Sequence, residues 1–272
     1  MIGKVRFRKG VTTVMQEKKI SPLYRLIKAL VRLFYGKTRV VGAENLPDAP
    51  CIVVGNHCQM NGPIAVELDF PGQHYTWCAG EMMHLKEVPA YAFRDFWSAK
   101  PKAVRWFFRL ASYLIAPLSV CVFNNANCIG VYRDARILST FRETVEKLQS
   151  GVSVVIFPEH DPPVNNILSA FQDRFVTVAR QYCRRSGEAL RFVPMYLAPA
   201  LKTMYLGEPV AYDPDAPSKE ECRRVCAQLA ERITALAVSL PRHRVVPYRN
   251  IPKKDYPYNI PLEVYPHDET GS

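Results

Sequence analysis

Short, unbroken apolar runs set between helical segments constrain this chain more than anything else in it. Cys51–Gly55 (CIVVG), Tyr75–Gly80 (YTWCAG), Cys128–Arg133 (CIGVYR), Val152–Pro158 (VSVVIFP) and Arg191–Leu197 (RFVPMYL) each read as a strand. Strands that stay apolar along their length are covered on both faces. The segments between them have helical periodicity. Asp134 caps ARILSTFRETVEKLQSG, a second helix runs from about Ser169 to Arg185 before Gly187, and Ser218 with Glu221 forms a capping box ahead of a long helix ending near Leu240. This alternation predicts an α/β fold, a mixed and mostly parallel sheet flanked by helices. With 272 residues the chain has ample material for a large core.

The two ends read differently. Residues 1–20 form a basic, weakly patterned arm. Ser21-Pro22 then opens an N-terminal amphipathic helix that stops at Gly36. Leu23, Leu26, Ile27, Leu30, Leu33 and Phe34 share one stripe, and Arg25, Lys28 and Arg32 share another. Such a helix either lies on an anionic bilayer or packs on the domain with its basic face in water; both readings stand at this level. Residues 21–240 form one domain, and 241–272 read as an extended tail rich in Pro and Tyr. The most apolar stretch, Trp106–Phe123, is interrupted by Arg109 and Pro117. That leaves less than the roughly 18–20 apolar residues of a spanning helix, so it reads as a buried or interfacial one.

The net charge of +11 favours a polyanionic partner: a nucleic acid, an anionic membrane or a phosphate-bearing substrate. The positive residues are spread through helices without a nucleic-acid motif, so no nucleic-acid partner is expected. The eight cysteines are dispersed with no CxxC, which reads as reduced thiols in a cytosolic compartment. No metal site is expected.

Four places can carry chemistry. Asn56-His57 ends a buried strand, where open α/β sheets place their ligands, and no carboxylate follows within nine residues. Imidazole there can take a proton from a hydroxyl, or can be an ordinary hydrogen-bonded loop side chain. Arg133 closes the strand containing Gly130, and a guanidinium suits bidentate phosphate binding. Glu159, His160 and Asp161 follow Pro158 in a loop stiffened by Pro162-Pro163, either a built site or an exposed acidic loop. Val193-Pro194 marks only a strand end or an edge.

Taken in order, Asn56-His57, Gly130 with Arg133, Phe157-Pro158-Glu159 and Val193-Pro194 resemble the sequence blocks of the glycerolipid acyltransferase family, the PlsC-like lysophosphatidic acid acyltransferase group. The lead-in Val40–His57 and the segment Met204–Val210 are similar to that family too, and the likeness covers roughly residues 22–240. The resemblance implies a glycerol-phosphate acyltransferase-like fold. It implies His57 as the general base that lets an acceptor hydroxyl attack a fatty acyl thioester. It further implies Asn56, Gly130, Arg133, Pro158 and His160 as substrate-binding residues, Arg133 toward phosphate. Two departures stand out. Gly62 occupies the position of the family's aspartate, and His160-Asp161-Pro162 replaces its Gly-Thr-Arg. A base without its carboxylate needs another, so Asp161, or else Glu159, is expected to steady the imidazole.

These readings lead to a membrane-surface O-acyltransferase acting between an acyl thioester (acyl-CoA or acyl-carrier protein) and a glycerolipid-type hydroxyl. It would be cytoplasmic and peripheral on an anionic membrane, with no bound cofactor. The alternative is a catalytically degenerate relative that holds lipid or acyl chains without turnover.

Overall fold

A computed structural model describes residues 20–98 and 100–260, so the basic arm, save Ile20, and the last twelve residues of the tail lie outside the described residues. Among the described residues ten strands form: β1 (Arg39–Val41), β2 (Ile52–Gly55), β3 (His74–Ala79), β4 (Cys128–Val131), β5 (Ser153–Ile156), β6 (Glu159–Pro163), β7 (Ser169–Phe171), β8 (Arg191–Ala198), β9 (Thr203–Leu206) and β10 (Val210–Ala211). Seven α-helices accompany them: α1 (Pro22–Tyr35), α2 (Asn61–Asp69), α3 (Val88–Ala92), α4 (Arg105–Asn125), α5 (Ile137–Gln149), α6 (Thr177–Ser186) and α7 (Ser218–Val238).

The main sheet runs β1-β9-β8-β2-β5-β3-β4, with β10 added beside β8. All adjacent pairs in it are parallel except β8 with β9 and β8 with β10. This is the mixed, mostly parallel sheet that the apolar runs predict. Their lack of alternation has a direct cause. On β2, Ile52 and Val54 join a core with Val145 and Leu148 of α5, Val178 of α6 and Leu229 of α7. Val53 between them joins a second core with Ala65 and Val66 of α2. Both pleat faces are dry, and each such side chain contributes about 1.5–3 kcal/mol of transfer free energy.

Two local expectations are corrected. Ser169–Phe171 does not begin a helix but pairs antiparallel with β6, and α6 starts only at Thr177. Ser218 makes no capping bond. Glu221 is buried and turns instead to Asp213, whose backbone N–H it accepts at 2.7 Å.

Helix α1 sits inside out. Tyr24 and Lys28 bond to Glu67, and Arg32 forms a two-pronged pair with Asp69 at 2.7 and 2.9 Å. Its polar face is therefore docked on α2, while Leu33 is 74% and Phe34 86% exposed. The reading of a helix packed with its basic face in water is overturned, because these acidic partners on α2 neutralise two of its three cations. Helix α4 also shows its apolar side. Trp106, Phe107, Leu110, Tyr113, Leu114 and Leu118 are exposed along one face, so this is not a buried helix. By length and composition the helical stretch Lys102–Asn125, which contains α4, is apolar enough to cross a membrane, so the expectation that it falls short of a span is corrected: Arg109 and Pro117 interrupt the apolar run without breaking the helix. The start of α1 is tied to the end of α4, where Asn125 Oδ1 accepts the Ser21 N–H at 2.9 Å.

The segment after Pro241 folds back rather than trailing away. His243, Val245, Tyr256 and Asn259 are buried in it, and Tyr196 meets the His243 ring at 2.9 Å.

Candidate functional site

Four adjacent parallel strands, β2, β5, β3 and β4, deliver their carboxyl ends to one cleft of about 810 Å³. His57 follows β2, Pro158 and Glu159 follow β5, Glu81 follows β3, and Tyr132 and Arg133 follow β4; all of them line it. A cleft at this position is what an open parallel sheet offers a ligand. Its inner wall is apolar and aromatic, with Trp77, Ile137, Phe141, Phe157 and Phe175. Its rim is charged, with Arg133 and Arg174 beside Glu81, Asp134 and Asp173.

The histidine turn is tightly built. Cys58 and Gln59 both have left-handed backbone (φ 47° and 56°), uncommon for residues other than glycine and costing of order 1–3 kcal/mol each. Surrounding bonds hold the turn in place. The Gly62 N–H donates to the His57 carbonyl at 3.1 Å. The His57 N–H donates to Glu159 Oε2 at 2.6 Å, and Glu159 Oε1 accepts the Ser169 N–H at 2.8 Å. Glu159 thus ties the histidine loop to the β6–β7 hairpin. Burial pushes its carboxyl up to about 7, against the pull of those two N–H groups.

No side chain hydrogen-bonds the imidazole among the described residues. Its ring meets Phe157 edge-on at 5.4 Å and Tyr248 at 5.9 Å. Nδ1 is buried with no hydrogen-bond partner among the described residues, leaving Nε2 as the nitrogen open to the cleft. Burial lowers the His57 pKa below the ordinary histidine range. The backbone of His57 and Gln59 lies close enough to favour the charged ring but not in hydrogen-bonding geometry. The consequence is chemical. Nε2 can accept a proton only in the tautomer with hydrogen on Nδ1, and that places an unpaired N–H in a dry site, at a cost of about 1–3 kcal/mol.

The expected orienting carboxylates do not reach the ring. Glu159 is spent on backbone N–H groups, and Asp161 pairs with Arg249 from the C-terminal segment. Gly62 leaves no room for an acid of its own. A Cβ there would lie 2.5 Å from the His57 carbonyl oxygen and 2.9 Å from the Phe157 ring.

Other expected site residues separate into two groups. His57, Arg133, Pro158 and Glu159 come together at the cleft. Asn56, Gly130, His160 and Asp161 are not among the residues that line it. Asn56 is buried, and its amide clamps β8: Oδ1 accepts the Leu197 N–H at 2.7 Å, and Nδ2 donates to the Leu197 carbonyl at 3.0 Å. Gly130 is a packing position, since a Cβ would lie 3.0–3.2 Å from Tyr132, Gly80 and Met83. The His160 ring bonds the Asp161 carbonyl at 2.5 Å. Each of these four is engaged with neighbouring backbone, close packing or, for Asp161, the counter-charge of Arg249.

Sequence reasoning missed Tyr248 and Arg174, and it named Phe157 only as part of the Phe157-Pro158-Glu159 block. Arg174 and Tyr248 stand far from His57 in sequence, with no motif marking them. Thiol chemistry is not prepared. Cys58 is held well above the usual thiol range by burial, and Cys78, a free thiol that lines the cleft, is raised by its hydrogen bond with the Cys128 thiol and by burial. No cluster of three His, Cys, Asp or Glu residues suited to a metal lies among the described residues.

No family model matches the sequence, and no curated protein matches it. Among solved structures, the chain is similar to the 1-acyl-sn-glycerophosphate (LPA) acyltransferase PlsC from Thermotoga maritima. The likeness has TM-score 0.43 at 18% identity and covers 79% of this chain and 80% of that one. Overlap at that level assigns this chain neither a reaction nor a substrate.

Proposed function

We propose that this chain is an acyltransferase that takes a fatty acyl group from an acyl thioester and passes it to a hydroxyl acceptor at a membrane surface. One observation carries the reading: a histidine at the strand ends opens Nε2 onto a cleft with an aromatic inner wall and two guanidiniums on its rim. Neither Arg133 nor Arg174 has an ion-pair partner among the described residues. An acyl thioester and a phosphorylated lipid both combine a long apolar part with anionic phosphate, and that pairing suits such a cleft. Arg174 would take the place of the arginine that the β5 loop lacks. His57 Nε2 would accept the proton of the attacking hydroxyl as the thioester carbonyl becomes tetrahedral, then hand it to the departing thiolate.

The outward stripes of α1 and α4 support the membrane part of the proposal. Leucine, tryptophan and phenylalanine side chains left in water forgo the stabilisation that a lipid surface would return.

A specific observation favours the second reading, an acyl-chain or lipid binder without turnover. The Nδ1 of His57 is unpartnered, so an imidazolium formed during transfer would lack a counter-charge. The two readings separate in one assay. Palmitoyl-CoA is offered with a panel of lysolipids and long-chain alcohols, and ester formation is followed for the wild type and His57→Ala. Acyl transfer that His57→Ala removes supports the enzyme. Uptake of palmitoyl-CoA with no ester formed supports the binder.

A further inference from the structure

The C-terminal segment 241–260 is pinned across the histidine turn at several points. Arg249 pairs with Asp161 in β6. Gln59, the second left-handed residue of the turn, donates from Nε2 to the Arg249 carbonyl and to the Tyr256 hydroxyl, each at 3.2 Å. Val245 and Asn259 anchor the two ends of the segment in buried sites. Between these anchors Tyr248 lines the same cleft as His57 and meets its ring edge-on. The Tyr248 hydroxyl has no hydrogen-bond partner among the described residues and is not sealed in the core.

We propose that this strap is a working wall of the His57 site: Gln59 and the Asp161–Arg249 pair hold it, and Tyr248 closes it over an acyl thioester lying against the imidazole. The proposal rests on the acyl-thioester reading above for its ligand class. It assigns Asp161 a task that fits its geometry, latching the strap instead of orienting the ring. It also explains why a strained turn carries a glutamine, since that side chain grips the strap from two sides. Tyr248 contacts ligand directly, whereas Gln59, Asp161 and Arg249 are positioning residues.

Palmitoyl-CoA binding to the full-length protein, measured by calorimetry below its micelle concentration, tests this. Tyr248→Ala is expected to weaken binding about tenfold, the scale of one lost aromatic contact in a closed site. Arg249→Asp should weaken it comparably, and adding Asp161→Arg should restore it by re-forming the pair with charges reversed. Arg249 and Asp161 are both about half exposed, so these variants are expected to fold, and thermal melts check that. Tyr248→Ala also admits water to the ring, so the His57 titration seen by NMR should move up toward the ordinary histidine range. A strap serving stability alone would lower the melting temperature and leave the affinity for palmitoyl-CoA unchanged. Wild-type affinity in both single variants, or a charge reversal that restores nothing, overturns the strap. Tight binding that responds as expected, with no ester formed, overturns only the transfer reaction. Failure of the wild type to take up palmitoyl-CoA overturns both.

Discussion

Glu159 accepts the backbone N–H of His57 at 2.6 Å and leaves the imidazole untouched. The acid nearest in role to a catalytic partner is therefore a brace, fixing where the histidine loop sits relative to the β6–β7 hairpin. Several expectations follow from this arrangement and its neighbours.

Glu159→Gln should destabilise the fold by about 1–3 kcal/mol, because an amide nitrogen would face a backbone N–H that needs an acceptor. Chemical denaturation measures this directly. The pH dependence has a defined sign. The folded pKa of about 7 lies above the ordinary carboxylate value of 4.5, so the folded protein holds the extra proton between the two. Stability should fall as pH rises from 4.5 to 7 and level off above, by on the order of 3 kcal/mol if this group acted alone. His57 opposes it: its lowered pKa makes stability rise with pH up to the ordinary histidine range. Glu159→Gln removes the falling component and leaves the rising one.

Gly62→Asp, which restores the acid spacing of the acyltransferase motif, should damage the protein instead of improving it. The new Cβ would meet the His57 carbonyl at 2.5 Å, and overpacking of this kind costs about 1–3 kcal/mol. Gly62→Ala should show most of the same loss in a thermal melt. A stable, more active Gly62→Asp protein would contradict the packing described.

Leu33→Glu with Phe34→Glu should weaken sedimentation with phosphatidylcholine vesicles, leaving the part carried by α4, while shifting stability by only about 0.5 kcal/mol, since both side chains already face outward. Lys28→Ala and Arg32→Ala should do the reverse, loosening α1 from α2. Binding should also vary little with salt, because Lys28 and Arg32 spend their charge on Glu67 and Asp69. Unchanged sedimentation of the glutamate pair would rule out α1 as the membrane face.

Arg133→Ala with Arg174→Ala should weaken palmitoyl-CoA about tenfold while sparing 1-hexadecanol, because only the former carries an anionic group for a guanidinium to bind. Competition between the two ligands reads out the difference.

Much of the sheet was legible from the chain because β2, Val154–Ile156 of β5 and Phe192–Ala198 of β8 run without polar alternation, a pattern that a doubly covered strand imposes. The placing of His57, Arg133 and Glu159 at one cleft followed from their common position at strand ends. Side-chain partners were not legible. The periodicity of α1 defines two faces but not which of them docks; Glu67 and Asp69, on another helix, decide that. Asp161 was read against its neighbour in the histidine loop, yet its counter-charge is Arg249, from a tail that reads as extended because its buried residues are scattered among prolines. Tyr248 reaches His57 only through that same tail. The packing at Gly62 was not legible either: the His57 backbone has closed over the position that the resemblance gives to an aspartate.

Ester formation from palmitoyl-CoA and a lysolipid acceptor, wild type beside His57→Ala, weighs most directly on the histidine cleft as a site of acyl transfer. The expected result is a transferred acyl chain for the wild type and none above background for His57→Ala. Equal product from both proteins, or none from either, would contradict it.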